Sequence, residues 1–231
     1  MNVRYRLAIT KGEAVRYVSH LDYARTVERA VRRSKLPAAY SEGFNPHMKL
    51  AFASALSVGV ASESEYLDIE LSTAVDAAAV GEALAGQLPP GIAVGRVRQI
   101  SAGHAALMAV VNLAAYRVAV PLPAAAAAAA LAAVQGFNAA AAVPYVRESP
   151  KGRREIDMKN FVAAIAATGG PDGLELVFEV RITPAGSVKP TEVIDVLAKN
   201  FGLPADPDAA LATRTGLFVA DGAGRVSPLE I

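Results

Sequence analysis

Three histidines occur in the chain, His20, His47 and His104. The first two, with Asp22 beside them, are residue types suited to general acid–base work or to holding a metal ion. Positions two apart on a helix diverge, so His20 and Asp22 do not make a two-ligand face, and only the fold can bring His47 to them. They are weak catalytic candidates, and no metal site is expected. His104 lies in a bland linker. The chain has no cysteine, which excludes disulfides, thiol nucleophiles, Cys-ligated zinc and Cys-ligated iron–sulfur clusters within it. No Gly-rich loop fits a Walker or dinucleotide pattern, and no Ser sits in a nucleophile elbow.

A second chemistry occupies the same stretch, residues 19–50. The spacing predicts a helix over about residues 20–35, opened by Ser19 as cap with Asp22 in its first turn and closed by Leu36-Pro37. Leu21, Ala24, Val27, Ala30 and Val31 form its core face. Arg25, Arg29, Arg32 and Arg33 fall on the other side, joined by Lys35. The loop Tyr40-Ser41-Glu42-Gly43-Phe44-Asn45-Pro46 follows, with Gly43 free to take a positive φ and Asn-Pro favouring a turn. It holds Tyr40, Phe44, His47 and Lys49 near the arginine row. Aromatic faces beside guanidinium groups are what single-stranded RNA binders use, stacking for bases and charge for phosphates. The candidate binding residues are Arg25, Arg29, Arg32, Arg33, Tyr40, Ser41, Gly43, Phe44, Asn45 and Lys49. The competing reading is a solvated helix face followed by a loop whose aromatics plug the core. Lys151, Arg153 and Arg154, with Arg147 and Lys159 nearby, form a second basic cluster around a hairpin-like loop, either a phosphate clamp or a solvated loop.

The elements that position these residues follow from periodicity. The 231-residue chain is 53% hydrophobic with a net charge of +1, so a core is affordable and no whole-protein field attracts a polyanion. Charge is patchy, with 10 Lys+Arg against 4 Asp+Glu in residues 1–49 and 2 against 6 in residues 50–110. Val3, Tyr5, Leu7 and Ile9 alternate as a strand, residues 15–18 read as a short extended return, and strands follow around residues 48–54 and 66–71. The last of these carries Tyr66, Asp68 and Glu70 on an acidic outer face. Asp76 caps a second helix, and residues 92–100 form a further strand. The order strand, helix, strand, strand, helix, strand predicts an α+β, ferredoxin-like unit with an antiparallel sheet over residues 1–103. The order recurs less clearly over residues 112–231: a strand at 113–120, an alanine-rich helix starting at Pro123, extended segments at 142–148 and 155–162, a confident strand at 174–182, a helix from Pro190 to a Gly202 cap, and a strand at 213–219. The fold class expected is two tandem ferredoxin-like units. The uncharged run at 118–146 contains three prolines and is rejected as a membrane span. The charged N-terminus has no apolar signal core, and the whole agrees with a cytoplasmic protein.

Ser19-His20-Leu21-Asp22 and the arginines after it, Leu36-Pro37, Tyr40-Ser41-x-Gly43-Phe44-Asn45-Pro46, Lys49-Leu50-x-Phe52, Ala55-Leu56-x-x-Gly59 and Ser64-Glu65-Tyr66-x-Asp68 resemble the bacterial radical-SAM-linked proteins, a domain family of unknown function. The match is dense over about residues 1–100. The resemblance implies a radical S-adenosylmethionine protein as partner, encoded next door or fused ahead. Any iron–sulfur cluster and S-adenosylmethionine would then reside in that partner and no cofactor in this chain. Family genes often lie near RNA-processing and ribosomal genes. The tandem layout is also similar to CRISPR RNA-processing endonucleases and some pseudouridine synthases, a likeness of fold alone.

The function expected is a non-catalytic RNA-binding or substrate-presenting accessory module. The alternatives are an RNA-processing or RNA-modifying enzyme using His20, Asp22 and His47, and a docking domain for the radical-SAM partner.

Overall fold

The computed structural model describes residues 2–101, 103–149, 152–170 and 172–231. The chain is mixed α+β, its strands pairing mostly antiparallel, and it divides into two compact units. Unit 1 comprises Met1–Asn112 with Gly216–Ile231, and unit 2 is Leu113–Thr215. The C-terminal segment thus counts with the first unit rather than with residues 113–215.

Unit 1 is built on β1 (Val3–Lys11), β2 (Leu50–Phe52), β3 (Ala61–Leu71) and β4 (Val94–Ile100). β1 lies between β4 and β3, and β2 pairs with β3, all antiparallel. Alternation sends Tyr5, Leu7, Ile9, Leu67, Ile69 and Leu71 to one face, where they form a core with Tyr23, Val27, Ala30 and Val31 of α1 (His20–Arg33) and Val80 and Leu84 of α2 (Ala77–Ala85). The opposite face carries Arg4, Arg6, Asp68 and Glu70. It is not the solvated acidic face that the pattern of Tyr66, Asp68 and Glu70 suggests. α3 (Leu107–Val110) and a 3-10 turn, Pro228–Glu230, lie over it. Arg6 is wholly buried there and donates to Asp68 and to the carbonyls of Pro228 (2.9 Å) and Ala105 (3.3 Å).

α1 starts as its sequence dictates. Ser19 Oγ accepts from the Asp22 N–H at 3.2 Å, and its hydroxyl donates to the Asp22 carboxylate at 2.7 Å. The helix ends before Leu36-Pro37. Ser34 caps it and Lys35 follows with φ of 58°, a left-handed conformation rare outside glycine. Asp76 caps α2, accepting from the N–H groups of Ala78 and Ala79. Two expectations fail here. Residues 15–18 are not extended, since a 3-10 turn, Glu13–Val15, precedes α1. Leu21 lies off the core face and is 67% exposed, because the buried stripe runs through Tyr23, Val27, Ala30 and Val31.

In unit 2, β5 (Leu113–Pro121) and β8 (Ile165–Gly170) flank β9 (Gly173–Arg181), while β6 (Pro144–Ser149) and β7 (Gly152–Asp157) form a separate hairpin. α4 (Ala127–Ala139) and α5 (Pro190–Phe201) pack against each other. Pro123 precedes a 3-10 turn, Ala124–Ala126, rather than opening the α-helix itself. The extended segment expected at 155–162 breaks into the end of β7 and a 3-10 turn, Met158–Asn160. Asn138 of α4 fixes β8, donating to the Ile165 carbonyl and accepting from its N–H at 2.8 and 2.9 Å. Gly202 takes φ of 70° and closes α5. β10 (Leu211–Asp221) leads from unit 2 into unit 1, where β11 (Gly224–Val226) pairs with it. Among the described residues no helix is long and apolar enough to cross a membrane.

Candidate nucleic-acid interface

The loop after α1 is a closed excursion. Tyr40 bridges Met48. The Ser41 N–H donates to the His47 carbonyl at 2.8 Å, and the His47 N–H donates to Ser41 Oγ at 3.0 Å. Residues 42–46 between these ties are exposed. Gly43 turns the tip with φ of 120°, a region that a side chain disfavours. Phe44 is fully exposed and Tyr40 is 42% exposed. Neither ring plugs the core, so that half of the competing reading fails, while its other half, a solvated helix face, agrees with the exposed arginines of α1. Asn45 is exposed beside Phe44.

Arg25, Arg29 and Arg32 follow one another at four- and three-residue steps and form an exposed line along α1. Arg25 holds Asp22 at 3.4 Å and Arg32 holds Glu28 at 2.6 Å, both pairs solvated. Among the described residues Arg29 has no ion-pair partner. Arg33 leaves the line, donating to the Gln87 carbonyl beyond α2. Lys49 Nζ lies 3.2 Å from Glu70. The Asn2 amide first, with Lys49 and the charge of Arg4, holds the Glu70 carboxyl below its ordinary range against the opposing effect of burial. The loop's base meets the helix in a groove of about 220 Å³, where His47, Met48 and Phe52 face Leu21, Ala24 and Arg25.

The acid–base candidates are only partly gathered. The His20 ring packs edge-on against Phe52 at 5.3 Å between centroids, and His47 lines the groove that includes Phe52. Asp22 is engaged by Ser19 and Arg25. Among the described residues no three His, Asp or Glu side chains stand close enough to hold a metal ion. Beneath His20, Tyr23 is buried and donates to the Thr10 carbonyl at 2.9 Å. Burial, and then the charge of Glu65, push its hydroxyl well above the ordinary phenol range.

The second basic cluster is largely committed to structure. Lys151 lies outside the described residues. Arg147 makes a two-point pair with Glu192 at 2.7 Å for each contact. Arg153 lies 3.5 Å from Glu148, and Arg154 donates to the Ala185 carbonyl. Lys159 sits over the Phe137 ring at 4.4 Å.

Three exposed apolar side chains of unit 1 went unread in the sequence. Tyr17 is 71% exposed, Val58 57% and Met108 74%. Periodicity finds apolar residues that share a face, and these stand singly in turns or in a one-turn helix.

The sequence model of a bacterial family described as "Uncharacterized protein conserved in bacteria (DUF2344)" matches residues 4–190. The chain belongs to that family. No curated protein matches it. A crystal structure of an unknown protein from Galdieria sulphuraria aligns over 93% of this chain and 99% of its own at 12% identity, with a TM-score of 0.27, a likeness too loose to bear on fold or function.

Proposed function

We propose that this DUF2344 protein is a non-catalytic accessory module that binds single-stranded RNA, or presents an RNA substrate, for a radical-SAM partner. The observation that carries this reading is the Phe44 ring, fully exposed on a loop whose ends are tied together. A large aromatic in water gains nothing for the fold, and an open π-face suits base stacking. Arg25, Arg29 and Arg32 supply a line of charge for phosphates, with Tyr40 as a second stacking surface and Asn45 beside it for base edges. Arg33 and Lys49 take lesser parts, since each already has a partner.

The sheet order β4-β1-β3, with β2 beyond β3 and both helices on one face, supports a ferredoxin-like plan for unit 1. The antiparallel β5-β9-β8 set with its two helices supports a degenerate counterpart in unit 2. The radical chemistry would reside in the partner, in the cytoplasm, since this chain brings no cysteine to bind a cluster.

The test is oligouridylate binding across a salt series. Three phosphate contacts give a slope of log affinity against log salt of about −2 for a single strand. Replacing Arg25 and Arg29 together by Ala should flatten the slope and weaken binding. An affinity insensitive to salt, or unchanged in that variant, overturns the reading.

A further inference from the structure

We infer that β2 is an acceptor edge for an extended segment of a partner protein, a site that borders the candidate RNA surface and shares Arg25 with it, but does not depend on the RNA reading. β2 pairs with β3 in the register Leu50↔Ile69, Ala51↔Asp68, Phe52↔Leu67. The Glu70 N–H donates to the Lys49 carbonyl, and the Ala53 N–H donates to the Tyr66 carbonyl. Residues 49 and 53 therefore point their main-chain groups at β3, and so does Ala51 between them. Antiparallel alternation turns the groups of Leu50 and Phe52 the other way. The Leu50 N–H is taken by the Met48 carbonyl. The Leu50 carbonyl and both main-chain groups of Phe52 have no ladder partner among the described residues. A sheet edge left in this state is a template for another strand.

The surroundings fit a strand rather than a bare edge. One groove opens on each side of the sheet along β2. On the α1 side, about 220 Å³ is bounded by Leu21, Ala24, Met48, Leu50 and Phe52. On the α3 side, about 290 Å³ is bounded by Met48, Leu50, Ala51, Leu107 and Met108, with Arg4 and Lys49 at its margin. Successive side chains of an added strand point to opposite faces, so they would drop alternately into the two grooves. Leu21 and Met108, 67% and 74% exposed, are the apolar walls that such side chains would cover.

Charge selects the occupant. The nearby carboxylates are engaged: Asp68 by Arg6, Glu70 by Asn2 and Lys49, and Glu28 by Arg32. Arg4 donates to the neutral carbonyl of His104 and shares the charge of Glu70, opposite it on β3, with Lys49, and Arg25 holds Asp22 only at 3.4 Å. Arg4 thus stands at the margin of one groove and Arg25 at that of the other, each able to receive a carboxylate. The partner segment is an extended peptide with apolar side chains at successive positions and acidic residues flanking them.

The experiment uses the whole chain and a pool of fluorescein-labelled octapeptides with Glu at both ends and Val, Ile or Leu between. The expected result is saturable binding that falls about tenfold or more in Leu21→Glu and in Met108→Glu. Both positions are exposed, so these variants should fold, as circular dichroism can check. Methylating alternate peptide amides should abolish binding in one of the two registers and spare it in the other, since only one set of amides faces β2. Failure of the whole pool to bind at about 1 mM overturns the proposal. Indifference to amide methylation overturns it too, because side-chain capture alone would then suffice. Displacement by oligouridylate that persists in Arg25→Ala, where the shared arginine is gone, would make this face part of the RNA surface and would equally overturn it. RNA binding left unchanged in the Arg25 and Arg29 variant, with the peptide pool still bound by the parent chain, would sink the RNA reading and leave this one standing.

Discussion

Arg6 and Asp68 stand opposite each other on β1 and β3 and meet through two hydrogen bonds, Nε to Oδ1 at 2.8 Å and Nη2 to Oδ2 at 3.0 Å, with Arg6 wholly buried and Asp68 nearly so. The remaining guanidinium nitrogen donates to the Pro228 carbonyl. One ion pair thus joins the first strand, the third strand and the C-terminal turn of unit 1. Replacing Asp68 by Asn should cost about 3–5 kcal/mol, because it leaves a buried guanidinium without its counter-charge. Replacing Arg6 by Met and Asp68 by Leu together should restore much of that loss. Urea unfolding of the three proteins measures both effects. A loss under about 1 kcal/mol for Asp68→Asn would mean that water reaches this pair.

Phe44 separates binding from folding. Phe44→Ala removes a side chain that touches nothing in the core, so stability should stay within about 0.5 kcal/mol of the parent. Oligouridylate affinity should fall by about 1–3 kcal/mol, the worth of one stacked base. Calorimetric unfolding and a fluorescence titration test the two halves separately.

Lys35 takes the left-handed conformation that closes α1. An L-residue there is strained by about 1 kcal/mol or more, and glycine is not. Lys35→Gly should raise stability by about 0.5–1 kcal/mol, since glycine's greater freedom in the unfolded chain takes back part of the gain. Lys35→Ala should give none of it. Thermal melts of the two variants decide the matter.

Glu70 carries a pH signature. Its carboxyl is held below the ordinary value of 4.5, first by the Asn2 amide and then by Lys49. A carboxyl lowered in the folded state contributes stability above its unfolded value and loses it as pH falls through the folded value. The advantage of the parent over Glu70→Gln should therefore be constant at neutral pH and shrink below about pH 4.5. Denaturant midpoints at a series of pH values would reveal it, and a parallel fall of both proteins would refute it.

Much of unit 1 was legible because its chemistry is local. The Ser19 cap, the Asp76 cap and the alternation of Tyr5, Leu7 and Ile9 each act within a few residues and came out as the sequence implies. The back of the sheet was not legible. Period-two alternation says that Arg6 and Asp68 lie on the opposite face from Leu7 and Leu67, but not that a turn more than a hundred residues away covers them. Leu21 was misplaced for a related reason: helical spacing admits it to the apolar stripe, and the outer edge of that stripe faces a groove rather than the core. In unit 2, β8 escaped notice because its Ile-Ala-Ala-Thr-Gly-Gly has only two strand formers, Ile165 and Thr168, among small residues. Its place is set by Asn138, a tertiary contact that no local pattern encodes. At the candidate site, Tyr40, Phe44 and the arginines could be named from type and spacing. Whether the rings faced inward or outward depended on the Ser41–His47 closure.

That closure gives residues 42–46 the character of a replaceable cassette. The ties at Ser41 and His47 carry the chain's return to β2, so the tip residues other than Gly43, whose φ of 120° needs a glycine, can drift without disturbing the frame that displays them. Selection could thus refit this protein to a new binding target by altering a handful of codons, at no cost to the scaffold beneath.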